Sequence, residues 1–359
     1  MKKRVAVLTG GGDAPGLNAV IRAIVKNAIR EYGYEVIGFR NGFRGVIEKD
    51  MVLLTEKEVT GILPRGGTIL GTSNRDSPFK FPVGKNKFED KSKQCIETIL
   101  EYAEALISIG GDGSLMLSHK LFEMGLPVIG CPKTIDNDLN IGIAQTFGFE
   151  SAYSFAAEAL DRLHTTAESH HRIMCMEVMG RYAGWIALYA GIAGGADVIL
   201  IPEIPFTYEK IIEKIEERRK MSKKFSLVIV AEGAKPKGGE LVVQKMVSAS
   251  IDPVRLGGIG NVVAKKLEEM TGMETRATVL GHLQRGGSPT PYDRILSTLY
   301  GTAAMDLAAQ KQYGYVVSLD SNYNIKPIPL SDAASGIRTV DISGEMVKTA
   351  RKIGISFGD

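Results

Sequence analysis

Short apolar runs alternate along this chain with longer stretches in which apolar residues recur every three or four positions. The runs Val5–Leu8, Glu35–Phe39, Glu104–Ser108, Leu126–Pro132, Arg172–Val178, Val198–Ile201, Leu227–Val230 and Glu274–Leu280 predict strands, most of them continuous enough to be covered on both faces. Met51–Leu54 reads as a further short strand. Helices are predicted over Leu17–Arg30, where Val20, Ile21, Ile24, Ala28 and Ile29 share a face, and over Ser92–Tyr102, Leu115–Phe122, Phe147–Thr166, Trp185–Ala193, Glu209–Lys220 and Tyr292–Gln310. A last helix falls between Gly336 and Lys352. Gly42–Gly45 reads as a loop, and Phe79–Lys93, with five lysines, as a surface excursion.

Strand followed by helix, repeated, predicts an α/β protein: two doubly wound Rossmann-like lobes with mainly parallel sheets and an active site in the cleft between them. In such sheets ligands bind at the C-terminal strand ends, and the polar, glycine-rich stretches sit there. Composition narrows the field. At 44% hydrophobic and 24% charged the chain can fill full cores, and a net charge of +3 with no basic stripe argues against nucleic acid or a membrane surface as partner. The basic start Met1–Arg4 is followed by an apolar run too short for a signal peptide, and nothing approaches a membrane span. Three scattered cysteines form no C-x-x-C pair, which fits a reducing cytoplasm.

The chemistry lies in the loops. Ile109-Gly-Gly-Asp-Gly-Ser114 joins a strand to a helix, where glycines open the backbone and a helix N-terminus favours phosphate. Asp112 would repel a bare phosphate but suits one carried with Mg²⁺. Thr9–Gly16 is a second glycine turn, neither a Walker A loop nor G-x-G-x-x-G. Asp136 and Asp138 share a face if their segment stays extended, leaving one as base. Later loops carry cations instead: Arg181 in Met179–Gly184, and His282 with Arg285 in Gly281–Gly287. An acidic half and a cationic half are the parts phosphoryl transfer needs.

Thr9-Gly-Gly-Gly-Asp-Ala-Pro-Gly-Leu-Asn18, Gly110–Ser114, Pro132-Lys-Thr-Ile-Asp-Asn-Asp138, Met179–Gly184 and Leu280–Gly287 together resemble the 6-phosphofructokinase family, in its order and over nearly the whole chain. The resemblance implies Mg²⁺-dependent transfer of a phosphoryl group to the 1-hydroxyl of fructose 6-phosphate, from ATP or, as the alternative donor in the family, pyrophosphate. It implies Asp136 as catalytic base and Asp112 as the metal residue. Gly12, Arg75, Asp76, Gly111, Asp112, Gly113 and Ser114 fall at ATP positions. Thr134, Ile135, Asp136, Met179, Gly180, Arg181, Glu232, Leu283 and Gln284 fall around the sugar, and Arg172, Arg276, His282 and Arg285 at its 6-phosphate. In the family the residues matching Arg172 and Arg276 come from a neighbouring subunit, implying a homodimer or homotetramer with shared sites. Gly113 and Lys133 bear on the donor. Gly113 leaves room for the nucleotide's α-phosphate, where a carboxylate would repel it; Lys133 resembles the pyrophosphate pattern, so the chain resembles a mixed subgroup. Arg22, Lys26 and Asp197 match effector positions of bacterial members. The lobes are expected at 1–147 plus about 284–334, and 148–283 plus about 335–359.

Overall fold

The computed structural model describes residues 3–85, 87–142, 145–246 and 254–359, so Met1 and Lys2 of the basic start lie outside it. Elements run β1 (Arg4–Thr9), α1 (Leu17–Tyr32), β2 (Glu35–Phe39), α2 (Phe43–Ile47), β3 (Met51–Leu54), β4 (Phe81–Gly84), β5 (Lys87–Glu89), α3 (Ser92–Tyr102), β6 (Ala105–Gly110), α4 (Asp112–Glu123) and β7 (Val128–Pro132). There follow α5 (Phe149–His170), β8 (Ile173–Val178), α6 (Trp185–Ala193), β9 (Val198–Leu200), α7 (Tyr208–Lys220), β10 (Ser226–Ala231), β11 (Val243–Met246), β12 (Val254–Leu256), α8 (Ile259–Thr271) and β13 (Thr275–Val279). The chain closes with a 3₁₀ turn (Gly281–Arg285), α9 (Pro291–Ala309), β14 (Tyr315–Val316), β15 (Ile328–Pro329), α10 (Leu330–Ala333) and α11 (Glu345–Lys352).

Two sheets carry the fold. The larger has seven strands in the order β15-β14-β7-β6-β1-β2-β3, parallel at its centre, with antiparallel pairs β2–β3 and β14–β15 at its edges. The smaller, β13-β8-β10-β9, is wholly parallel. Each matches the continuous apolar runs: every residue of β6, β8 and β10 is buried. In the larger sheet β1 leads rightward to β2 and, later in the chain, β6 takes its other side. The loops after β1 and β6 therefore straddle the point where strand order reverses, the place such sheets bind ligands.

Three stretches differ from their sequence pattern. Gly42–Gly45 opens helix α2 instead of a loop, because Phe43, Val46 and Ile47 recur at helical spacing and bury one face. The lysine-rich excursion contains the hairpin β4–β5, anchored by buried Phe81. Helix α8 was not foreseen: Ile259, Val263 and Leu267 form its buried stripe, but the glycines at 257, 258 and 260 mask the start.

Helices α1 and α9 cross closely on the larger sheet. A Cβ on Gly301 would lie 2.7 Å from the Val20 carbonyl oxygen and 2.8 Å from Ala23 Cβ. Gly301→Ala is expected to force the helices apart and lower unfolding stability by about 1–3 kcal/mol, read from urea midpoints; an unchanged midpoint would show that the crossing is loosely packed.

Candidate functional site

Three strand ends of the larger sheet are stitched into one floor. Gly10 N–H donates to the Ile109 carbonyl (2.9 Å), Lys133 N–H to the Gly110 carbonyl (2.9 Å) and Gly11 N–H to the Ser73 carbonyl (3.0 Å). The Thr72 hydroxyl donates to the carbonyls of Thr9 (3.0 Å) and Gly11 (2.7 Å). Gly110 is required by close approach: a Cβ there would sit 2.3 Å from Ser114 Cβ. The turn is tighter than expected. Helix α4 begins at Asp112, with Gly111 as its N-cap, so the backbone N–H groups of Asp112, Gly113 and Ser114 form the helix's open first turn. The Asp112 side chain is exposed, whereas Ser114 is buried.

Arg75 and Asp76 separate. Arg75 is exposed beside this floor, but Asp76 is buried and takes two hydrogen bonds from Arg44, at 3.0 and 2.6 Å, plus one from Ser73. Asp76 thus fixes its loop through Arg44, a residue sequence reasoning missed because the partners lie far apart in the chain.

The loop after β7 holds the acid centre. Asn137 adopts a left-handed backbone (φ 52°), so the segment turns and the simple alternation that would place Asp136 and Asp138 on one face fails. The carboxylates stay coupled nonetheless. Burial, then Asp136 and Asp112, push Asp138 up to about 7. Burial likewise raises Asp136 above the usual carboxylate range, with Arg285, Lys133 and Arg181 pulling it down and Asp112 pushing it up. The Asp136 backbone N–H donates to the Thr134 hydroxyl (3.0 Å), while its Oδ1 is enclosed without a hydrogen-bond partner. Lys133 is buried and donates to the Gly12 carbonyl at 2.5 Å. Desolvation and neighbouring Arg285 lower its pKa to about 8, against the pull of Asp112, Asp13 and Asp136.

Strand ends of the smaller sheet face this centre. Met179, Gly180 and Arg181 follow β8, Glu232 follows β10, and the 3₁₀ turn follows β13. Gly180 has φ 134°, and the Gly233 N–H donates to its carbonyl (3.0 Å), locking the two loops together. Glu232 is pushed up to about 7 by burial and by Asp136 and Glu177. Buried Gln284 accepts the Met179 N–H (3.3 Å). Arg285 donates to the Asp13 carbonyl (3.0 Å), reaching the first glycine loop. His282 and Leu283 are exposed; Ile135 is fully buried in the apolar cluster beneath, so its backbone alone can meet a ligand.

Arg172 and Arg276 do not join this cluster within one chain. They lie at the opening ends of β8 and β13, a strand length or roughly 20 Å from the loops at the other ends. Glu274 binds both, at 2.7 Å to Arg172. Of the effector-site matches, Asp197 pairs with Arg218 (2.6 Å) and Lys26 with Glu56 (3.6 Å).

Asp112 fits Mg²⁺ as one exposed carboxylate beside an open helix turn. Among the described residues no group of three His, Cys, Asp or Glu could hold a metal.

Two mainly parallel sheets whose strand ends converge on one acid–cation cluster define a two-lobed α/β protein. The chain belongs to the phosphofructokinase family, whose profile matches residues 4–308. It is 53% identical to ATP-dependent 6-phosphofructokinase 2 of Clostridium perfringens, over 99% of each chain. It is 47% identical to the pyrophosphate–fructose 6-phosphate 1-phosphotransferase of Streptomyces coelicolor, over 99% of this chain and 100% of that one. The structure of phosphofructokinase from Saccharomyces cerevisiae superposes with a TM-score of 0.76 at 31% identity, covering 98% of this chain and 47% of that one.

Because Lys133 is held below the lysine range of the unfolded chain, the unfolded state binds more protons between about pH 8 and 10.5. The stability of the wild type relative to Lys133→Met is therefore expected to rise across that window, read from urea midpoints. A difference that is flat with pH would contradict the burial of a charged Lys133.

Proposed function

We propose that the chain transfers the γ-phosphoryl group of ATP to the 1-hydroxyl of fructose 6-phosphate, giving fructose 1,6-bisphosphate and ADP. The observation that carries this is the Asp136 carboxylate, enclosed where both sheets' loops meet and flanked by Lys133, Arg181 and Arg285. As the sugar O1 attacks phosphorus, Asp136 takes its proton, and the bond from phosphorus to the β–γ bridging oxygen breaks. Charge spreads over the transferring oxygens, and the Arg181 cation near Asp136 would offset it. Mg²⁺ bound with the donor supplies further positive charge, and Asp112 is the residue that holds it. The first turn of α4, with Gly111, Gly113 and Ser114, cradles the donor phosphates together with Gly12; Arg75 reaches them from the exposed loop, and Asp76 serves through that loop's fixation. Thr134, Ile135 by its backbone, Met179, Gly180, Glu232, Leu283 and Gln284 shape the sugar side.

ATP is the donor because Gly113 places neither bulk nor charge against the α-phosphate. Lys133, the feature shared with pyrophosphate users, is tied to the Gly12 carbonyl. The 6-phosphate is held by His282 and Arg285 and by Arg172 and Arg276 of a neighbouring subunit, so the working unit is at least a dimer. The lobes divide at 1–147 with about 284–334 and 148–283 with about 335–359, following the two sheets. No described helix is long and apolar enough to cross a membrane; the three buried, unpaired cysteines support a cytoplasmic location.

The assay offers ATP or pyrophosphate with fructose 6-phosphate and Mg²⁺ and measures fructose 1,6-bisphosphate. Product with ATP and little with pyrophosphate is expected; the reverse would overturn the donor assignment. Asp136→Ala is expected to bind the sugar phosphate yet lose about 10²- to 10⁴-fold in kcat. Mixed with Arg276→Ala subunits, it should recover part of the activity, since hybrid sites would carry one intact set. No recovery would argue against a shared site.

A further inference from the structure

The Asp136 loop is held not only from its own sheet. Residues 337–340, close to the C-terminus, pass between it and the smaller sheet. Leu139 and Ile337 form an antiparallel bridge, and the Arg338 N–H donates to the Asp138 carbonyl at 2.7 Å, two residues from Asp136. On its other side the same residue meets Trp185. The indole Nε1–H donates to the Arg338 carbonyl at 2.9 Å, and the Arg338 guanidinium lies over the indole ring, 5.0 Å from its centroid. Trp185 opens α6 directly after the turn that carries Arg181. That turn is fixed to the same strap by Glu203, whose carboxylate accepts the Gly184 N–H (3.0 Å) and the Val340 N–H (2.8 Å).

We infer that Trp185 and Arg338 are positioning residues that set the Asp136 loop against the Arg181 turn. This rests on the proposed roles of Asp136 and Arg181. The geometry is specific. A backbone carbonyl and N–H of one residue, Arg338, connect the two loops in series, and the aromatic contact fixes that residue's side chain on the Arg181 side. Asp136 has no hydrogen bond at Oδ1 to fix its rotamer, so its placement depends on such backbone support. Removing the indole N–H deletes the hydrogen bond by which Trp185 holds the Arg338 carbonyl. Removing the guanidinium frees the strap from the indole face. Either change lets the base drift relative to the sugar hydroxyl, and reaction geometry punishes drifts of about 1 Å by roughly 10²-fold.

The test compares Trp185→Phe, Arg338→Met and Arg338→Lys with the wild type in steady-state kinetics, with unfolding midpoints recorded. Trp185→Phe and Arg338→Met are expected to lose about 10- to 100-fold in kcat, with KM for ATP changing by less than about threefold. Arg338→Lys, which keeps a cation over the ring, should recover much of the loss. Wild-type kcat in both loss variants, or equal loss in Arg338→Lys and Arg338→Met, would overturn the inference. A purely structural role would lower the unfolding midpoint while leaving kcat of the folded enzyme intact, and that result also overturns it. If Trp185→Phe does not fold, the two Arg338 variants decide alone. A wild type without turnover would sink the proposed function, whereas an active wild type with unaffected variants sinks only this inference.

Discussion

A carboxylate taken out of water but left facing cations is the constraint on which this structure turns. Burial alone favours the protonated form of Asp136, which cannot act as a base. Three positive groups from three separate chain segments oppose that penalty: Lys133 beside it, Arg181 after β8 and Arg285 after β13. Lys133 shares the loop with Asp136, but Arg181 and Arg285 are distant in sequence, so the fold must bring two sheets' strand ends within electrostatic reach. Asp112 works against them, being of like charge. A cation bound at Asp112 would reduce that opposition and so lower the pKa of Asp136.

The two sheets contribute differently. The larger one supplies a rigid floor, because β1, β6 and β7 are buried almost throughout and their terminal loops exchange backbone hydrogen bonds. Its glycines are there for contact distance as much as for flexibility, as the Gly110–Ser114 approach shows. The smaller sheet supplies cations on turns that brace each other through Gly180, Gly233 and Gln284. Arg172 and Arg276 belong to the same sheet but lie at the opening ends of its strands, away from those turns. Their shared partner Glu274 keeps the two like charges together on an exposed surface.

Much of this was legible in the sequence. Continuous apolar runs mark β1, β6, β8 and β10 because strands covered on both faces need no polar alternation. Glycines with acids at strand ends located Gly110–Ser114 and the Asp136 loop, since ligand loops must leave the sheet there. What escaped has a common cause. The Arg44–Asp76 pair, the Trp185–Arg338 stack and the Glu203 bridge each join residues distant in sequence, and no local periodicity records such pairings. Asn137 escaped differently: one left-handed residue overturned an alternation that assumed extended backbone. Helix α8 was hidden by glycines placed where the backbone N–H groups of Gly258 and Gly260 donate to buried Glu177, a contact the sequence does not display.

The central claim is most directly tested by the acid limb of kcat against pH, in the wild type and in Lys133→Met. A base must be deprotonated, so activity falls as pH drops through its pKa. With burial dominant, the wild-type limb should lie above the ordinary aspartate range, and loss of the Lys133 charge, which now holds Asp136 down, should move the limb to higher pH. A limb at the ordinary aspartate value, unmoved in Lys133→Met, would contradict the account.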